Sequence, residues 1–134
     1  MACNILVNGV GPYNKGAELM LCAIAEQLRR VLPQARLCVP LGIGDHPWRA
    51  EHNLGSALVP LDCTHREWWV QRALNDRIRN HLGLLRERDV HGVLDASGFH
   101  FGDNAAPLRY VWAVTRMIER WRRNGAPVIL LPQA

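Results

Sequence analysis

This chain of 134 residues has one lysine, Lys15, against fifteen arginines, and four cysteines with no CxxC pair among them. Cys3, Cys22, Cys38 and Cys63 are far apart, and no Cys/His spacing matches a zinc finger. A disulfide scaffold and a structural zinc site are therefore excluded, and no metal is expected. Buried, reduced thiols are expected, because a free cysteine behaves as a small hydrophobe. No apolar run approaches the ~20 residues of a membrane span, and the start Met1-Ala-Cys-Asn lacks the basic region of a signal peptide. We expect a cytoplasmic protein without a transmembrane segment. Nor is there a repeat, a low-complexity tract or a linker. The net charge of +4 is a mild excess, spread over helices instead of clustered, so no nucleic-acid partner is expected. Attraction to anionic ligands is the milder consequence.

What is present is an ordinary globular composition, 49% hydrophobic and 21% charged, at a length natural for one domain. Apolar strands alternate with helical periodicity. Residues 3–8 form a continuous apolar strand of the kind buried on both faces. Over 17–32, Ala17, Leu21, Ile24, Leu28 and Val31 trace one helix face, and Pro33 ends it. Residues 36–41 are a second strand, 42–53 a loop or irregular helix, and 57–61 a third strand. Thr64-His-Arg-Glu67 reads as a capping box. Behind it Val70, Leu74, Ile78, Leu82 and Leu85 form an inward stripe. Residues 92–96 are a fourth strand. A long helix over 104–123 turns Leu108, Val111, Trp112, Thr115, Ile118 and Trp121 inward. Asn124-Gly125 stops it, and 127–131 are a fifth strand.

Five strands joined by helices predict an α/β fold, a three-layer Rossmann-like parallel sheet. In a sheet ordered 3-2-1-4-5, strands one and four are neighbours at the switch point, where such sheets bind ligands. Two glycine-rich turns would then face one crevice: Gly9-Val-Gly-Pro-Tyr-Asn-Lys-Gly-Ala-Glu18 and Ser97-Gly-Phe-His-Phe-Gly-Asp103. The chain stops at Pro132-Gln-Ala134, directly after a strand with no helix over that edge. This leads us to expect the amino-terminal piece of something larger, with its fifth strand open to self-association.

Neither turn fits a nucleotide fingerprint. Asn14 occupies the third glycine position of GxGxxG. Gly11 and Gly16 have the P-loop glycine spacing, but Ala17-Glu18 follows where Lys and Ser/Thr are required, and Glu18 repels phosphate. Asp95-Ala-Ser97-Gly98 lacks the first glycine of a nucleophile elbow. The missing acidic cluster argues against a receiver-like or flavodoxin-like domain. At the helix start, Glu18 serves either a sugar hydroxyl or the helix dipole. Asn14 and Asp103 serve either as caps or as ligand contacts. His100, between Phe99 and Phe101, is the candidate general acid or base, with aromatic packing as the alternative. One of Trp68 and Trp69 is either a stacking platform for a sugar or a half-buried core residue. The arginines at 116, 120, 122 and 123 read as a solvated helix face.

Three segments together resemble the polysaccharide pyruvyl transferase family: Asn14-Lys-Gly-Ala-Glu18, Asp95-Ala-Ser-Gly-Phe-His-Phe-Gly-Asp103 and Pro127-Val-Ile-Leu-Leu-Pro-Gln133. In that family an N-x-G-[ad]-E turn opens the first helix, a segment like S-G-x-x-x-x-D follows a central strand, and P-V-I-L-L-P-Q runs on into G-P-F. The resemblance implies two Rossmann-like domains facing a cleft, as in GT-B glycosyltransferases. It implies phosphoenolpyruvate as donor substrate, with no cofactor, and a saccharide acceptor whose two hydroxyls become a pyruvate ketal. It also implies that Gly11, Asn14, Lys15, Gly16, Glu18, Ser97, Gly98 and Asp103 shape the acceptor side. The resemblance further implies that the catalytic histidine and arginines lie in a carboxyl-terminal domain, which this chain is expected to lack. The alternative expectation is a non-catalytic α/β module that binds a saccharide or an anion.

Overall fold

The computed structural model describes residues 3–59, 73–97 and 108–132. In chain order these give β1 (Cys3–Asn8), α1 (Lys15–Val31), β2 (Ala35–Pro40), α2 (His46–Glu51) and β3 (Gly55–Leu58). They continue with α3 (Asp76–His81), β4 (Leu84–Arg86), a 3-10 turn at Glu87–Asp89, β5 (Gly92–Asp95), α4 (Leu108–Arg123) and β6 (Val128–Leu130). The strands form one parallel sheet in the order β4-β3-β2-β1-β5-β6. β1 lies at the centre, in register with β2 from Cys3 opposite Ala35 and with β5 from Ile5 opposite Gly92. The fold is α/β and consistent with a Rossmann-like three-layer architecture. No helix among the described residues is long and apolar enough to cross a membrane.

The apolar run Ile5–Val7 of β1 follows from its central place. Successive side chains of a strand point to opposite faces, so a strand covered on both sides needs apolar residues at every position. Leu6 enters one core with Cys38, Ala57, Val93 and Trp121. Val7, one position on, enters the other with Val39, Leu21 and Trp48. The first core lies under α4, the second under α1 and α2. Burial pushes the Cys38 thiol up to about 12, and its Sγ donates to the Ile5 carbonyl at 3.4 Å. Cys3 is partly buried and Cys22 is exposed, so the expectation of buried thiols fails at Cys22. Cys63 lies outside the described residues, as do the Thr64–Glu67 capping box, Val70, Trp68 and Trp69.

The sheet has six strands, not five. The stripe read through Leu85 is interrupted twice. Asn75 starts a separate short helix, its Oδ1 accepting from the Arg77 N–H at 2.8 Å. Gly83, at φ +64°, then ends that helix, and its N–H donates to the Asn80 carbonyl at 3.1 Å. Leu84–Arg86 thereby becomes edge strand β4 beside β3. Ile78 and Leu82 are consequently exposed. The buried residue of α3 is instead Arg79, held by Asp89 at 3.3 Å and Asp76 at 3.4 Å. Burial of a guanidinium is tolerated because two carboxylates face it and its Nη2 also donates to Asn80 Oδ1 at 3.1 Å.

Two further expectations are corrected. Val31 of α1 is exposed. On α4 Trp121 is buried as expected, but its inward companions are Val114 and Met117, while Thr115 is at the surface and Trp112 is 62% exposed; the side chains of Leu108 and Val111 lie outside the description. The helix stops where expected. The Gly125 N–H reaches the Arg122 carbonyl and the Ala126 N–H reaches that of Trp121, with Gly125 at φ +77°. That is the Schellman pair of bonds.

Candidate functional site

The first turn leaves β1 through Gly9, which has φ +75°. A Cβ at Gly9 would stand 2.4 Å from the Ser97 backbone nitrogen and 2.7 Å from the Ala96 carbonyl carbon. The turn after β1 and the start of the turn after β5 are therefore in backbone contact. The Ala96 N–H also donates to the Asn8 carbonyl at 2.9 Å. The neighbouring placement expected of the two turns holds as far as Ser97. Gly98, His100 and Asp103 lie outside the described residues.

Asp95, at the end of β5, organises this junction. It is 2% exposed. Its Oδ1 accepts from the Ser97 N–H at 2.8 Å and from the Ser97 hydroxyl, and its Oδ2 accepts from Asn8 Nδ2 at 3.2 Å. Charge-assisted bonds of this kind compensate a buried carboxylate for lost water. The Ser97 hydroxyl proton is thus directed at Asp95, and this buried serine ties the start of the second turn to the end of β5.

The remaining residues of the first turn line up at the start of α1. Asn14 is the N-cap, its Oδ1 accepting from the Gly16 N–H at 2.8 Å. A Cβ at Gly16 would crowd that same oxygen at 3.3 Å, whereas one at Gly11 would make only ordinary contacts with Ile43 and Tyr13 at 3.7 Å. Asn14→Ala is expected to cost about 1 kcal/mol, measurable by urea unfolding. Loss of ligand binding with unchanged stability would instead assign Asn14 to the ligand.

Glu18 faces three neighbours. Lys15 Nζ lies 3.0 Å from Oε2, and His52 Nε2 lies 3.6 Å from Oε1. The Lys15 ammonium, with lesser help from His52 and Trp48, holds the Glu18 carboxyl below its ordinary value. Glu18 is therefore ionised at neutral pH and is a hydrogen-bond acceptor. His52 follows α2, and its ring packs against Trp48 with centroids 5.1 Å apart at 59°. His52 Nε2 and Trp48 Nε1 are both buried and have no hydrogen-bond partner among the described residues. Sequence reading missed this pair because it left 42–53 as a loop or irregular helix. The available signal was Asp45, which caps α2 by accepting from the Trp48 N–H at 2.9 Å.

A second concavity lies on the α4 side of the sheet. It encloses about 460 Å³ and is lined by Leu6, Asn8, Pro40 and Val59 from the strands and strand ends, and by Met117 and Trp121 from α4. Arg116, Arg120, Arg123, Glu87 and Glu119 border it. Three of the four arginines read as a solvated face therefore border a cavity. Their 3–4 spacing beside Met117 and Trp121 was the signal. Among the described residues there is no cluster of three or more metal-ligating side chains.

Comparison with protein-family models, curated proteins and solved structures gives no match to this chain.

Proposed function

We propose that this chain is the amino-terminal, acceptor-binding domain of a polysaccharide pyruvyl transferase-like enzyme with a GT-B-like two-domain plan. One observation carries the reading: the Gly9–Ser97 contact sets the turn that leads into Asn14-Lys-Gly-Ala-Glu18 against the start of the Asp95–Asp103 segment, at the carboxyl ends of β1 and β5. The third segment adds support, since β6 runs beside β5 and the Leu131 N–H donates to the Asp95 carbonyl at 2.8 Å. Ligands of open α/β sheets gather at such a place. The ionised Glu18 accepts hydrogen bonds from acceptor hydroxyls, and the first turn offers a close backbone approach.

In the proposed reaction the bond between the central carbon of phosphoenolpyruvate and its phosphate oxygen breaks and inorganic phosphate leaves, while two sugar hydroxyls lose their protons and bond that carbon as a ketal; one proton is balanced by protonation of the methylene carbon and the other by the departing phosphate. The proton donor and the cations facing carboxylate and phosphate belong to a second domain. Calorimetry with a panel of neutral hexose oligosaccharides tests the acceptor role. Saturable binding is expected, about tenfold weaker in Glu18→Gln, with no phosphate released from phosphoenolpyruvate by this chain alone. Absence of binding across the panel would overturn the proposal. In the alternative, a saccharide- or anion-binding module, binding persists and no phosphate is released even after a second domain is supplied.

A further inference from the structure

The cavity beneath α4 is not used by the function proposed above. Its floor is the sheet at the carboxyl ends of three adjacent strands, carrying Leu6, Pro40 and Val59, and Trp121 closes one wall. Its rim is charged, and the charges do not cancel. Glu87 pairs with Arg120, and Glu119 with Arg123 at 3.7 Å. Arg116 has no carboxylate partner among the described residues. The rim therefore keeps one positive charge above an apolar floor. Pockets of about 300–1,000 Å³ with such a lining suit small organic molecules.

We propose that this cavity binds a small organic anion, a flat apolar body carrying one phosphate or carboxylate group, with Arg116 as the principal anion contact. The apolar body covers Leu6, Pro40 and Val59, and the anion meets the planar guanidinium, which matches phosphate and carboxylate oxygens in pairs. Arg120 is a reserve cation, held back by Glu87. Glu87 in turn is fixed by the Asn124 amide, whose Nδ2 donates to Oε1 at 3.0 Å.

Titration of the whole chain with phenyl phosphate, benzoate, inorganic phosphate and benzyl alcohol, followed by calorimetry and by NMR shifts, tests this. Phenyl phosphate and benzoate are expected to saturate, with shifts at Met117 and Trp121. Inorganic phosphate and benzyl alcohol, each offering half of the chemistry, are expected to bind at least about tenfold more weakly. Arg116→Gln should lose about tenfold in affinity for phenyl phosphate. Glu87→Gln, which releases Arg120, should gain affinity. Opposite signs from two rim substitutions separate an anion site from general loosening of the helix, which would weaken both. Arg122→Gln, on the same helix but off the cavity, should bind as the unaltered chain does. Equal binding of inorganic phosphate, or an Arg116→Gln variant with unchanged affinity, would overturn the proposal.

Discussion

Gly9→Ala is expected to destabilise the chain by about 2–5 kcal/mol, as read by urea unfolding. Two independent terms add. An L-residue in left-handed backbone costs about 1–2 kcal/mol, and Gly9 has φ +75°. The new methyl would also stand 2.4 Å from Ser97 N and 2.7 Å from Ser97 Cα and the Ala96 carbonyl carbon. All three are backbone atoms of one well-bonded turn, so no side chain can swing aside to relieve the clash. Overpacking of this kind costs about 1–3 kcal/mol more. Relief requires β1 and β5 to part at their carboxyl ends, which breaks the Ala96-to-Asn8 hydrogen bond and displaces Ser97 from Asp95. Gly11→Ala is the control. Its methyl meets Ile43 and Tyr13 at 3.7 Å, and a loss below about 1.5 kcal/mol is expected. Similar losses in the two variants would mean that the turns after β1 and β5 do not touch, removing the main support for a shared crevice.

Much of the architecture was legible because it depends on local rules that tertiary context reinforces. The apolar run ending in Leu6 and Val7 required a strand covered on both faces, and both faces are covered. Asn124-Gly125 marked a helix end and makes the expected pair of bonds. The order of the five expected strands follows from alternating strands and helices, and all five occur with β1 central.

The misses have a common physical origin. Leu82 and Leu85 continued a helical period from Leu74 and Ile78, and periodicity cannot see that Gly83 has left-handed backbone. A strand as short as Leu84–Arg86 has no period of its own. In α4, Trp121 is buried as expected, but the residues that accompany it are Val114 and Met117 and not Trp112 and Thr115, because both sets stand at 3–4 spacing and only the sheet distinguishes them. The candidate site was legible where it is made of backbone and caps, at Gly9, Asn14 and Gly16. His52 was not, since it joins Glu18 only through the packing of α2 onto α1. Arg116 was hidden because the arginines at 116, 120, 122 and 123 read together as a solvated helix face.

Trp121→Ala, the second large effect, tests the inward face of α4 directly. Trp121 is the largest fully buried side chain described, 2% exposed, and packs with Leu6, Cys38, Ala57 and Val93 from four parallel strands. Truncating a buried tryptophan costs about 3–5 kcal/mol, more where the surroundings cannot collapse into the space. Here they cannot, because the facing surface is a hydrogen-bonded sheet and the other side is already a cavity of about 460 Å³. The new void merges with that cavity, so the upper half of the range is expected. Trp112→Ala, nine residues earlier and exposed, should change stability by no more than about 0.5 kcal/mol. Urea unfolding of both variants separates the two faces of α4: comparable losses would place Trp112 in the core and contradict the packing of Val114, Met117 and Trp121 onto the sheet. The same pair tests the cavity, since phenyl phosphate binding should weaken in Trp121→Ala and persist in Trp112→Ala.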